Sequence, residues 1–328
     1  MMTNDALVSL APCYLPSRRI IPSDGHEFES ALSQFGAADQ AILRRVYEVV
    51  SDAAFLGSRS GDCLERHLVR EIDEDFLNDV HRLGGSGLKL TSLRKVVHDI
   101  RGGGLSVLVG LAYFLWESPG NQDYLQRCAD AADDHARIMR SLLPDIDPAA
   151  RDRDREGGER GIGRLLDKWD GARVRGPHGT VTVSVRNACG ATATFPPCEC
   201  AAVGRVLYNH INNAMRFASD DRVELCVFPV RNGLVRWVVI NHLDPSQASF
   251  LESQQDTKRL YAGGITTGGE GIGLASCAEI VANCFGLDSP AQAVEELYLG
   301  SMVSDAEYYA WFHWPSQTPD GCGLITGY

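Results

Sequence analysis

Between Thr91 and Arg101 the apolar residues Leu93, Val96, Val97 and Ile100 recur at i, i+3, i+4 and i+7, the spacing of one buried stripe on a helix. The same period runs from about Glu74 to Trp116, with an interruption around Gly84–Gly87. After the turn residues Glu117–Gln122, a second helical pattern continues to about Leu143. Along it Leu125, Cys128, Ala132, His135, Met139 and Leu142 alternate steps of three and four, the seam of a coiled coil. A narrow helical hairpin cannot bury both faces alone, which predicts pairing with a second copy in a four-helix bundle and hence a homodimer. At 100° per residue His98 points about 150° away from the apolar stripe and is expected to face solvent.

The pattern divides the chain further. Residues 1–72 read as a helical N-terminal region, with Phe28, Leu32, Phe35, Ile42 and Val46 as its buried positions, and residues 73–145 as the hairpin. The dense charge and glycines of residues 146–160 read as a linker. From 161 to 328 the pattern is mixed. Strands are expected at Thr180–Arg186, about Arg222–Pro229 and about Val235–Asn241, with helices at about Ala201–Ala218 and about Ile272–Cys284.

Composition narrows the class. With 328 residues, 44% hydrophobic and 23% charged, the chain is globular and long enough for two or three domains. A formal charge of −12 argues against nucleic acid as a general partner. The ten cysteines form no C-x-x-C pair, and Cys198-Glu199-Cys200 lacks the companion ligands of a zinc site. No stretch has the length of a membrane span, and the first residues lack the character of a signal peptide, so the expectation is a cytoplasmic protein without a membrane partner.

Three segments carry candidate chemistry. Asn209 and Asn213 are one helical turn apart, with Arg216 three residues beyond. Asparagine oxygens can ligate Mg²⁺ and an arginine can meet phosphate charge, although the same residues also fit an ordinary polar helix surface. Gly269, Gly271 and Gly273 precede a helix, where backbone N–H groups and the helix N-terminus favour phosphate. Glycine loops of this kind are common, so this signal is not specific by itself. The third is Trp237–Asp244, a strand ending in polar residues.

Together these segments resemble the catalytic ATP-binding domain of two-component histidine kinases, within the gyrase, Hsp90 and MutL ATPase superfamily, over about residues 160–314. The resemblance implies Asn213 as the Mg²⁺ ligand, Asn209 as its accompanying polar residue, and Tyr261, Thr266, Thr267, Gly269, Gly271 and Gly273 along the nucleotide. It also places Asn241 where the family has the aspartate that accepts from the adenine amino group, with Asp244 as a less favoured alignment. Here the stretch VINHLDP holds no glycine, and His242 and Leu243 stand where the family has small residues. A neutral acceptor also gives up charge assistance.

His98-Asp99-Ile100-Arg101 followed by Gly102–Gly104 resembles the family's H-box. The resemblance implies His98 as phosphoryl acceptor and Asp99 as its base, and neutral imidazole is a competent nucleophile near neutral pH. Three glycines weaken a helix interior by roughly 3 kcal/mol relative to alanine. That permits a bend beside His98, while close helix packing at small residues is the plainer account. The expected fold is therefore α+β: N-terminal helices and a hairpin forming a dimeric four-helix bundle, followed by an α/β sandwich that binds ATP and Mg²⁺. The expected activity is autophosphorylation of His98 and transfer to an aspartate of a separate response regulator receiver domain. A histidine phosphotransferase or pseudokinase with a degenerate ATP domain, and a serine kinase of the anti-sigma-factor type, are the competing readings.

Overall fold

The computed structural model describes residues 4–17, 28–85, 90–158, 160–176, 179–189, 194–231, 233–253, 257–264 and 271–316. In chain order the helices are α1 (Asn4–Ser9), α2 (Ala37–Gly57), α3 (Gly61–Glu71), α4 (Glu74–Arg82), α5 (Thr91–Arg101), α6 (Gly103–Glu117), α7 (Gln122–Leu142), α8 (Pro148–Glu156), α9 (Gly163–Leu166), α10 (Pro197–Phe217), α11 (Pro245–Ser253), α12 (Gly273–Phe285) and α13 (Pro290–Glu295). The strands are β1 (Arg160–Gly161), β2 (Arg173–Gly176), β3 (Gly179–Asn187), β4 (Thr194–Phe195), β5 (Ala218–Pro229), β6 (Leu234–Leu243), β7 (Leu299–Ser304) and β8 (Glu307–Pro315). The fold is mixed helix and sheet, in two compact units: residues 24–157, and residues 1–23 together with 158–328.

Among its described residues the first unit has helices and no strand. Its longest helices, α2 and α7, lie against each other. At Gly57 a side chain would bring its Cβ within 2.2 Å of the Ala129 Cβ, so only glycine lets the end of α2 approach α7 this closely. Across the pair, the Arg140 guanidinium donates to the Tyr47 hydroxyl at 3.2 Å, and that hydroxyl donates to Asp147 at 2.7 Å. The whole seam Leu125, Cys128, Ala132, His135, Met139 and Leu142 is buried within this one chain. The hairpin thus finds a packing partner in α2, and the seam from which a homodimer is expected is covered within the chain itself.

Two further expectations are corrected. Residues 146–160 contain α8, with Pro148 at its first turn and Asp147 capping it by accepting from the Ala150 N–H at 2.9 Å. Its two half-buried charges join the packing: Asp154 pairs with Arg137 and Arg140, and Arg151 with Glu29. Of the expected N-terminal core, Leu32, Phe35 and Val46 are buried, whereas Phe28 and Ile42 are half-buried and Leu43 takes the inner position.

The second unit is built on a six-stranded sheet in the order β2-β3-β5-β6-β8-β7, antiparallel except for the β3/β5 pair. Helix α10 packs on β5, β6 and α12, forming the helical layer on one face. The opposite face carries α1: Leu7 and Ala11 join Cys226, Phe228, Val238, Ile240, Tyr309 and Trp311 in one core cluster. Residues 4–17 therefore belong to the sheet, and the N-terminal 72 residues are not one region. Arg236, fully buried on β6, secures this segment. Its guanidinium donates to the carbonyls of Leu7 (3.0 Å), Val8 (2.6 Å), Ala11 (2.7 Å) and Pro12 (2.9 Å), and its Nε to His313 Nε2 at 2.8 Å. A cation at the C-terminal end of a helix meets the negative end of its dipole.

Candidate functional site

The glycine run of the H-box-like stretch breaks the helix. α5 ends at Arg101, Gly102 caps it with its N–H on the His98 carbonyl at 2.9 Å, and α6 restarts at Gly103. Gly103 adopts φ +45, a left-handed value that a side chain would strain. The last turn of α5 is thus held next to a discontinuity, and it carries both His98 and Asp99.

Their environments differ. The Asp99 side chain is 1% exposed and that of His98 25%, with His98 Nδ1 3.1 Å from Asp99 Oδ1. Beside an ionised carboxylate, which only accepts, Nδ1 is the donor and Nε2 carries the lone pair of the ring. The expectation of a solvent-facing His98 is corrected to a half-buried one, its ring lying against the buried Asp99 carboxylate.

Inside the same unit His135 is fully buried, and neither ring nitrogen has a hydrogen-bond partner. Burial pushes its pKa down to about 3, while the Asp99 charge pulls in the other direction. Sequence reading counted His135 as one position of the seam. Its chemistry was legible only as an imidazole amid apolar residues.

In the sheet unit, α10 turns Val203, Val206, Leu207, His210, Ile211 and Ala214 inward and leaves Asn209, Asn213 and Arg216 half-buried on a common stripe. The Asn209 amide N–H₂ donates to the Arg205 carbonyl at 2.9 Å, which leaves its oxygen as an acceptor. The Arg216 guanidinium lies 5.3 Å from the centre of the Phe217 ring. His210, not foreseen as part of any site, is stacked on Phe312 at 5.8 Å and 7°, with Tyr261 6.4 Å away on another side. Burial lowers its pKa to about 4. Tyr261 is buried, and desolvation first, then Tyr308, holds its hydroxyl well above the ordinary value.

Asn241 is 2% exposed, paired in register with Val223 of β5 and Tyr308 of β8. Strand alternation puts it on the same face as Trp237 and Val239, and Trp237 stacks on Phe312, which in turn meets His210 of α10. Its N–H₂ donates to the His242 carbonyl at 3.2 Å, and its Oδ1 is buried without a partner. A buried acceptor on the helix-covered face fits a ligand N–H, since an unpartnered group of this kind costs about 1–3 kcal/mol. His242 points the other way and pairs with Glu307 at 3.2 Å.

Gly271 and Gly264 close on each other: the Gly264 N–H meets the Gly271 carbonyl at 3.3 Å, and a Cβ on Gly271 would lie 3.0 Å from the Gly264 nitrogen. Gly273 opens α12. Thr266, Thr267 and Gly269 lie outside the described residues. Among the described residues no group of His, Cys, Asp and Glu is arranged to hold a metal, and no helix is long and apolar enough to cross a membrane.

No protein-family model matches the chain, and no curated protein is similar to it at a significant level. Solved structures of histidine kinases are similar to it. The histidine kinase domain of the blue-light-activated histidine kinase EL346 from Erythrobacter litoralis shares 14% identity, over 83% of this chain and 94% of that one, with a TM-score of 0.31. The mycobacterial sensor histidine kinase MprB also shares 14% identity, over 42% and 84%, with a TM-score of 0.31. Full-length ShkA in complex with AMPPNP shares 14% identity over 75% of this chain and 47% of that one, with a TM-score of 0.30.

Proposed function

We propose that the chain is a histidine kinase that phosphorylates His98 and passes the phosphoryl group to an aspartate of a separate receiver domain. The observation that carries this reading is the pair at the end of α5: a half-buried imidazole whose Nδ1 is held by a fully buried carboxylate, leaving Nε2 as nucleophile. Asp99 keeps the ring in the Nδ1–H tautomer and offsets the positive charge that develops when Nε2 forms a bond to phosphorus. Bound in the sheet unit, ATP supplies the γ-phosphoryl group, the bond from its phosphorus to the ADP oxygen breaking as the nitrogen bond forms.

The residues that would hold the nucleotide are Asn241, through its unpartnered Oδ1, and the glycines at the start of α12. Asn213, Asn209 and Arg216 on the open stripe of α10 would meet Mg²⁺ and phosphate. A homodimer belongs to the same proposal, resting on the resemblance now that α2 fills the hairpin seam, and light scattering measures it.

Incubation with γ-labelled ATP tests the reading. Acid-labile label that disappears in His98→Ala, and is lost with Mg-dependent nucleotide binding in Asn213→Ala, is the expected result. No binding of nucleotide by the parent protein sinks the autokinase and leaves a relay protein that receives its phosphate from a partner.

A further inference from the structure

Two imidazoles feel the Asp99 carboxylate. His98 is bonded to it and half-buried. His135, on α7, is sealed from solvent, feels the Asp99 charge, and has a hydrogen-bond partner at neither ring nitrogen. Buried polar side chains are nearly always paired, so a ring with both nitrogens unmet is stable only where a second arrangement satisfies it or packing forces it. The geometry supplies that arrangement. A Cβ on Gly103 would lie 3.9 Å from His135 Nδ1, which places the helix break directly beside this ring. Rotation at a glycine with φ +45 shifts the last turn of α5, and Asp99 with it, relative to α7.

We propose that Asp99 alternates between two imidazole partners, His98 and His135, and that His135 is a positioning residue for the reaction at His98. With Asp99 on His98, the Nδ1–H tautomer is held and Nε2 is free to react. With Asp99 on His135, the sealed ring donates its N–H to the carboxylate, and His98 reverts to an unguided imidazole. The Gly102–Gly104 break is the joint between the two states. His98 as phosphoryl acceptor is taken from the function proposed above, whereas the coupling of the three side chains does not depend on it.

The test is nuclear magnetic resonance of the full chain labelled with ¹⁵N-histidine, read near pH 8 where an ordinary imidazole is neutral. In His135→Phe, His98 is the one of the two imidazoles left to Asp99, and the Nδ1–H fraction of His98 rises by up to about twofold if the two rings share the carboxylate equally. His135→Gln, which keeps an N–H donor, stays near the parent value, and Asp99→Asn erases the difference between parent and His135→Phe. An unchanged His98 tautomer in a cooperatively folded His135→Phe overturns the proposal and leaves His135 as packing. Should that variant not fold, the His135 ring shifts are compared between parent and Asp99→Asn, and a His135 signal indifferent to the Asp99 charge also overturns it. A tautomer shift in His135→Phe, together with a parent protein that never takes label from ATP, upholds the coupling and removes the kinase reading instead.

Discussion

Three histidines make the stability of this protein acid-sensitive, and unequally so in its two units. Burial lowers His135 to about 3, His210 to about 4 and His313 to about 3, the last also disfavoured by the Arg236 charge, from an ordinary 6.5. Each ring is neutral when folded and takes a proton when unfolded below pH 6.5. Their contribution is therefore complete above the unfolded value and is lost as pH falls from 6.5 towards 3–4. In that window each ring contributes a slope of about 1.4 kcal/mol per pH unit. Between pH 6.5 and about pH 5 the helical unit, with His135, loses about 2 kcal/mol, and the sheet unit, with His210 and His313, about 4 kcal/mol. Four of the five tryptophans, Trp169, Trp237, Trp311 and Trp314, are in the sheet unit, so urea unfolding followed by tryptophan fluorescence reports that unit at each pH. His210→Phe preserves the stack on Phe312 and removes one proton, which halves the slope. A sheet-unit stability that is flat across this range, or a slope that His210→Phe leaves untouched, refutes the reasoning.

Arg236→Leu removes all five donors at once. Breaking a buried charged network of this kind costs about 3–5 kcal/mol, and early proteolytic cleavage within residues 4–17 is the accompanying sign; a melting temperature within about 2 °C of the parent contradicts it. Gly103→Ala forces a side chain into the left-handed region where space is available, so denaturation should show a loss of about 1–2 kcal/mol confined to the helical unit. Asn241→Asp gives the buried acceptor a charge and, by calorimetry, tightens ATP by on the order of 1 kcal/mol while disfavouring GTP, whose carbonyl meets the carboxylate; unchanged heats remove position 241 from base recognition.

Much of the sheet unit was legible along the chain. The β-branched alternation of 180–186 and the apolar runs at 222–229 and 235–241 became β3, β5 and β6, because strands buried on both faces leave continuous apolar signatures. Pairing between distant segments left no such mark. Nothing in the period of α7 says that α2, rather than a second chain, fills its seam, and Gly57 acquires its meaning only from Ala129. By sequence α8 reads as a linker because its charges look solvated, whereas Arg137, Arg140 and Glu29 meet two of them. Arg236 did carry a signal, a cation in the middle of the apolar run LVRWVVI, which is paired whenever it is buried. At the candidate site, the role of Asp99 beside His98 follows from the H-box resemblance, and only the common face of Asn209 and Asn213 is read from spacing. The burial of Asp99, the second imidazole at His135 and the unpartnered oxygen of Asn241 depend on packing that no local pattern encodes.

The docking of α1 on the far face of the sheet also orders events in time. Leu7 rests in a cluster with Trp311, so α1 waits for strand β8, some 300 residues later in the chain, before its apolar side is fully covered. At about 5–20 residues per second that interval is roughly 15–60 s, long compared with the folding of an ordinary helical domain. During it Leu7 and Ala11 are open to any nascent-chain binder, and the entire helical unit is synthesised in between. Closure of the sheet unit is therefore held back until β8 has been made, and a chain stalled or truncated before β8 is marked by an incompletely covered α1.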